Sequence, residues 1–286
     1  MFIRSPKLDG LWIGGLPSQS RITKANTYAT AYPFNSCGAN GVAYPVAYIS
    51  LHGYNAAVTT LTDLWPQGTV RTLPTAGFTI GVSSSSASDT NSAGTGARIV
   101  QVDFLDTSYI PHTINVVLNG QTMVSDTTQV ATAFRINDIR CVSVGSGTTN
   151  AGDIYVYDNT DTVTAGVPQT ATKIFHKVVA GDSIGRGGFY TVPAGCALQV
   201  NQIRAGIDDT TTTARAVQIN AKVTIYNGGQ NIPVLFPIGS QLVGGELIED
   251  LAFPTIIDEK SDIAFKVTSS AAAAVSGFVD SVLYYK

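Results

Sequence analysis

The feature that most constrains the fold is a two-residue alternation across Ala97 to Val124, ARIVQVDFLDTSYIPHTINVVLNGQTMV. Successive Cβ atoms of a strand point to opposite faces. Val100, Val102 and Phe104 therefore share one face, and Gln101 and Asp103 the other. Ile114, Val116 and Leu118 repeat the pattern, and Asn119-Gly120 offers the positive-φ pair of a type I′ hairpin turn. A lone hairpin is marginal in water, so this stretch must recruit the rest of the chain as a second layer.

The rest supplies more of the same. Phe78, Ile80 and Val82 alternate, as do Ile154 and Val156 within Asp153-Ile154-Tyr155-Val156-Tyr157. Leu198, Val200 and Gln202 alternate, and the frame then shifts to Ile203, Ala205 and Ile207, which predicts a bulge. Val217, Ile219, Ala221, Val223 and Ile225 form the cleanest run, turned back at Asn227-Gly228-Gly229. Val192-Pro193-Ala194-Gly195 reads as a turn. Ser83 to Gly96 and Thr160 to Thr172 read as a loop and a connector, and Pro254 to Phe265 and Phe278 to Tyr285 as closing strands. The best helix candidate, Leu242 to Leu251, is weakened by Gly244 and Gly245. Short strands with turn signals every 8–12 residues or so predict sandwiches or jelly rolls. The expected fold is all-β: two antiparallel β-sandwich or jelly-roll-like domains with an extended N-terminal arm. Residues 1–65 form the arm and an irregular aromatic segment, 66–172 the first domain and 173–286 the second.

Charged residues make up only 13% of the 286-residue chain, about half the usual share. Polarity comes instead from Thr, Ser, Asn, Gln and Gly. Charge is depleted at interface cores, so much of this surface is expected to be covered by neighbours. A net charge of −3 lacks the basic excess of a nucleic-acid binder. No apolar run reaches the roughly 18–20 residues of a membrane helix, and the N-terminal stretch has no block of signal-peptide type. A cytoplasmic, soluble precursor is expected.

The arm carries Leu11, Trp12 and Ile13, too apolar to stay in water without partners. From Ala25 to Thr62 there is no Asp, Glu, Lys or Arg, but Tyr28, Tyr32, Phe34, Tyr44 and Tyr48 are present. Tyrosine pairs an apolar body with a polar tip and suits half-buried surfaces. These eight residues are the expected partner-binding anchors. Asp63-Leu64-Trp65-Pro66 reads as a boundary that Trp65 can anchor.

Signals for chemistry are weak. Cys37, Cys141 and Cys196 are odd in number and far apart, which argues against disulfides or a zinc site. His52, His112 and His176 have no second ligand at metal spacing. His112 reads as part of a turn and His176 as part of a strand. There is no nucleophile elbow, H-E-x-x-H or P-loop, and Gly185-Arg186-Gly187-Gly188 lacks the Lys of a phosphate loop. The acidic pairs Asp208-Asp209, Glu249-Asp250 and Asp258-Glu259 sit at turns or strand ends, where acids serve solvation. Asp158 and Asp161 lack the EF-hand pattern. No catalytic residue, cofactor or metal is expected. Arg98, Arg135, Arg140, Arg204 and Arg215 fall within strand-like stretches. They read either as planned ion pairs and inter-subunit hydrogen bonds or as arginines on solvated faces.

The run from Phe78 through SSSSASDTNSAGTGARIVQVDFLD to LNGQT resembles a segment of virion structural proteins of tailed bacteriophages, especially marine phages and cyanophages. Tyr190-Thr191-Val192-Pro193-Ala194-Gly195, the long alternating strand and Asp258-Glu259-Lys260-Ser261-Asp262-Ile263 resemble a second β-domain of such proteins. The resemblance spans roughly residues 66 to 286 and leaves residues 1 to 65 unmatched. It implies β-sandwich architecture, a virion location after assembly in the host bacterial cytoplasm, and no catalysis. The expected function is that of a capsid cement or decoration protein, a trimer bound to the major capsid protein or other virion proteins. A tail, baseplate or fibre-base component and a carbohydrate-binding attachment module are the alternatives.

Overall fold

The structure, a computed structural model, describes residues 45–285 except 92, 126–131, 208–215, 228–229 and 243–245. Of the expected anchors, Leu11, Trp12, Ile13, Tyr28, Tyr32, Phe34 and Tyr44 lie outside the described residues, as does Cys37. The described chain is all-β and antiparallel. It runs β1 (Pro45–Val58), β2 (Thr62–Asp63), β3 (Ile80–Ser84), β4 (Ala97–Asp106), β5 (Pro111–Val117), β6 (Val124–Ser125), β7 (Ala133–Val144), β8 (Ile154–Asp158) and β9 (Val163–Thr164). There follow β10 (Val167–Pro168), β11 (Ile174–Val178), β12 (Phe189–Thr191), β13 (Cys196–Ile207), β14 (Ala216–Asn227), β15 (Gln230–Leu242), β16 (Glu246–Ile257), β17 (Asp262–Ser269) and β18 (Ala273–Tyr285). The one helical element among the described residues is a 3₁₀ turn, Ala171–Lys173.

The organising stretch forms β5-β4-β7, which faces a sheet of order β11-β8-β3-β6. Val100, Val102, Phe104, Val116 and Ile139 from the first meet Ile80, Val82, Ile154 and Val156 from the second in one apolar cluster. The later sheets, β1-β18-β13-β16 and β12-β17-β14-β15, share another cluster that includes Leu51, Leu198, Val217, Val223, Phe265 and Val279. In each pair of sheets the inward residues are the alternating apolar ones. Two half-apolar sheets hide those faces by stacking. A third cluster lies between the two pairs. Tyr155 and Tyr157, on the back of β8, meet Trp65, Ile174 and Phe189. Trp65 is 1% exposed and stands edge-on to Phe189, with ring centroids 6.2 Å apart. Its indole N–H donates to the Thr69 carbonyl at 2.6 Å. Trp65, expected to anchor a boundary, is buried in this cluster.

The frame shift in β13 is present: its register against both β16 and β18 breaks between Val200 and Gln202. Several expectations need correction. Residues 45–58, placed in an irregular segment, form a regular strand paired with β18 from Pro45↔Tyr284 to Val58↔Ala273. Alternation there is masked in the sequence because Tyr, Ser and His stand in for charged outward residues. Ile174–Val178, placed after the boundary at 173, pairs with β8 and belongs to the earlier sheets. The connector 160–172 contains the hairpin β9–β10. The helix candidate 242–251 is mostly strand β16, because pairing with β13 overrides weak helical propensity. His112 lies in β5, not in a turn.

Both turn assignments slip by one residue. Only Gly120 of the Asn119-Gly120 pair has positive φ, at 57°, and Thr122 N–H donates to Asn119 O at 3.1 Å. Asn119 is thus the first corner rather than a central residue. Likewise Cys196 N–H donates to Pro193 O at 3.3 Å, so Pro193 opens its turn.

The Ser-rich stretch from Ser83 is only partly a loop. Ser83 and Ser84 are buried in β3. Asp89, fully buried, ties the remainder together. Its carboxylate accepts from the Ala97, Ala151 and Gly152 amides at 2.6, 2.8 and 2.9 Å and from the Ser84 hydroxyl at 2.5 Å. A buried charge is tolerable only when its lone pairs are filled in this way. Gly96 leaves the space: a Cβ there would lie 2.0 Å from Asp89 Oδ1.

Candidate functional site

An open cleft of about 540 Å³ runs between the earlier and later sheets, within the roughly 300–1,000 Å³ range of ligand sites. One wall is β1, carrying Tyr48, Ser50 and His52; the other is built by β4, β5 and β7, with Asp103 and Arg140 on the outward face and His112 at the edge beside its ladder partner Phe104. Pairing fixes the second wall. Asp103 lies opposite both Thr113 and Asp138 in the ladder. Like charges directly opposite one another are unfavourable, and Arg140 compensates. Its Nη1 donates to Asp103 Oδ2 at 3.0 Å and to Asp138 Oδ2 at 2.7 Å. Thr113 donates to Asp103 Oδ1 at 2.7 Å. Burial pushes the Asp138 carboxyl above its usual range, against the pull of Arg140. Burial also works against the Arg140 charge, but Asp103 and Asp138 outweigh it and raise its pKa.

All three histidines, scattered in sequence, line this cleft. They do different things. His52 stacks on Phe278 at 4.1 Å between centroids, and burial and then the Arg186 charge lower its pKa. His112 stacks on Phe104 and reaches Asp106 Oδ2 at 3.0 Å. Asp106 also caps its own turn through the Ser108 and Ile110 amides. Those hydrogen bonds and His112 overcome the burial that would raise its pKa, and hold it low. His176 is buried, and burial together with the Arg71 charge lowers its pKa to about 3. The imidazoles do not converge, and among the described residues no group of His, Cys, Asp and Glu could hold a metal ion. Asp158 and Asp161 are occupied by nearby loop groups: Asp158 accepts from Thr160, and Asp161 from the Thr162 and Thr170 amides.

The floor of the cleft is a clamp between the two pairs of sheets. Asn137 donates to Thr191 O and accepts from Thr191 N–H, both at 2.9 Å. Nearby, Arg135 forms a two-point ion pair with Asp262. Tyr190 packs above, its hydroxyl kept protonated by burial.

Of the expected partner-binding residues, Tyr48 is the one the structure describes, and it is 85% exposed at the cleft rim. Of the strand arginines, Arg135 and Arg140 are ion-paired, whereas Arg98 has no carboxylate partner among the described residues and reaches the Gly94 carbonyl at 3.5 Å. Arg204 is exposed and bonds Gln202 along its own strand, and Arg215 lies outside the described residues. Cys141 and Cys196 are free thiols, and burial raises the Cys141 pKa to about 11. Sequence reasoning missed the cleft because its residues come from six separate strands. The usable signal was the Asp-x-Arg pattern at 138–140 opposite Asp103.

Among the described residues no helix is long and apolar enough to cross a membrane. No family model matches the chain, and no curated protein does. Among solved structures, a chain of the T13 viral particle of IBDV is 12% identical, with 90% of this chain and 77% of that chain covered and a TM-score of 0.20. VP2 of the infectious bursal disease virus subviral particle is 10% identical, with 95% and 83% covered and a TM-score of 0.16. At such scores the likeness carries no argument about this chain.

Proposed function

We propose that the chain is a non-enzymatic structural protein of a tailed-bacteriophage virion, built as an N-terminal arm and two β-sandwich domains. Its work is to cover joints of the shell as a trimeric cement or decoration protein. One observation carries the reading: β1 is a 14-residue strand with no charged residue, and among the described residues it ends its sheet. Proteins blunt such edges with charges, prolines or bulges, or cover them. Here the inner stretch from Ala47 to Asn55 is regular and uncharged, with Tyr48 projecting beside it. An edge of this kind pairs with an added strand, main-chain bonds giving affinity and flanking side chains giving specificity. The phage-like motifs of residues 66–286 and the 13% charge content support a virion partner for that edge.

The test is incorporation. Tyr48→Ser and Trp12→Ala are each expected to lower binding of the purified protein to shells lacking it. Unchanged binding by both variants would remove the reading. Binding to tails rather than shells would move the protein to the tail, baseplate or fibre base.

The cleft favours a second reading, glycan attachment. It sets aromatic Tyr48 beside carboxylate acceptors and the Arg140 donor, the mixture that recognises hydroxyl-rich ligands. Glycan-array binding by the full chain, abolished by Arg140→Ala, would support it. In both readings Arg140 holds Asp103 and Asp138 as paired acceptors rather than as a separated acid and base.

A further inference from the structure

A second, smaller pocket of about 50 Å³ lies where residues 69–74 cross the outward faces of β12, β17 and β14. Its lining includes Asp63, Arg71, Lys222, Thr224, Asp262 and Lys266. The carboxylates here are already engaged. Asp262 Oδ1 accepts from Arg135 Nε at 2.9 Å and Thr191 Oγ1 at 2.5 Å, and its Oδ2 accepts from Arg135 Nη2 at 3.2 Å. Asp63 Oδ2 accepts from the Arg71 backbone N–H, and Lys266 Nζ sits 2.5 Å from Oδ1 in an ion-pair contact without hydrogen-bond alignment. Arg135 and Lys266 are thereby neutralised.

Arg71 and Lys222 are not. Among the described residues neither has a carboxylate at ion-pair distance. The Arg71 guanidinium sits over Phe189, its Cζ 3.2 Å from the ring centroid, and its buried Nε finds no acceptor among the described residues. An unmet buried donor is destabilising until a partner reaches it. Burial lowers the Arg71 pKa to about 10, against the fields of Asp63 and Asp262. The pocket therefore combines a surplus of positive charge, an orphaned donor and open volume. A single water needs about 10–15 Å³ of such volume, so the space admits one tetrahedral anion but no nucleotide.

We infer that this pocket binds one small oxyanion of the phosphate class, gripped by the Arg71 guanidinium edge and Lys222 Nζ, with the Thr224 hydroxyl as a further donor. A guanidinium held in place over an aromatic ring is pre-organised for such an anion. The bound ion would tie residues 69–74 to β14 and complete the charge balance at the junction of the two pairs of sheets.

The test uses the full chain. Thermal unfolding is followed while sodium phosphate replaces sodium chloride at constant ionic strength. A ligand bound only by the folded state raises the midpoint with a saturable dependence. The wild type is expected to show that dependence. Lys222→Gln is expected to shift its half-saturation at least tenfold upward, and Lys173→Gln, a control outside the pocket lining, to leave it in place. Arg71→Lys should act as Lys222→Gln does; if it fails to fold, Lys222→Gln decides alone. No saturable phosphate response, or the same half-saturation in Lys222→Gln, would overturn the inference.

Discussion

Arg135 and Asp262, 127 residues apart in sequence, form a two-point ion pair, with Nε–Oδ1 at 2.9 Å and Nη2–Oδ2 at 3.2 Å. Arg135 also donates to the Pro74 and Phe134 carbonyls, both at 3.0 Å. A buried pair of this kind is costly to break, because the survivor is left charged and unpaired. Arg135→Ala is expected to destabilise by about 3–5 kcal/mol in urea unfolding. The double variant Arg135→Met with Asp262→Leu should lose less than the sum of its single changes.

Asp89 predicts a second loss. Asp89→Ala strands the amides of Ala97, Ala151 and Gly152, at about 1–3 kcal/mol for each buried group left unmet. Hydrogen exchange should quicken at those three amides before it does elsewhere. Gly96→Ala, which drives a Cβ into the same carboxylate, should act in the same direction.

Acid sensitivity should trace in part to His176. Its pKa falls from the usual 6.5 to about 3 on folding, chiefly through burial and then the Arg71 charge. The unfolded chain thus binds the extra proton between those values. The stability this group contributes is whole above pH 6.5 and is lost as pH falls towards 3. The slope is on the order of 1.4 kcal/mol per pH unit at most. Asp106, Asp153 and Asp161, whose pKa values are lowered on folding, add to the loss below the usual carboxylate range. His176→Phe should flatten the dependence between pH 6 and 4 in chemical unfolding, while the steeper loss at lower pH persists.

Tyr48 separates binding from stability. At 85% exposure it has little to lose on truncation, so Tyr48→Ser should change unfolding free energy by no more than about 0.5 kcal/mol. Its effect should appear only in shell or glycan binding.

Periodicity made the strands legible wherever inward residues were aliphatic and outward ones polar, as from Val100 to Phe104 and from Val217 to Val223. Even the bulge in β13 was visible, because the apolar frame shifts there. β1 was hidden because Tyr48, Ser50 and His52 give its outward face no charge. The edge of the second unit was misread for another reason: Ile174–Val178 looks like any strand, and only its pairing with β8 assigns it. The cleft was illegible because Asp103, Arg140, His52 and His176 meet through long-range pairing. Trp65 was legible because a lone tryptophan before proline needs a buried home, and Phe189 with Tyr157 supplies it.

The uncharged β1 edge is proposed to be covered on a virus particle. Quantitative mass spectrometry of purified virions encoding the chain tests it most directly. Hundreds of copies per particle, in fixed ratio to the major capsid protein, are predicted. Absence from purified virions would contradict the account.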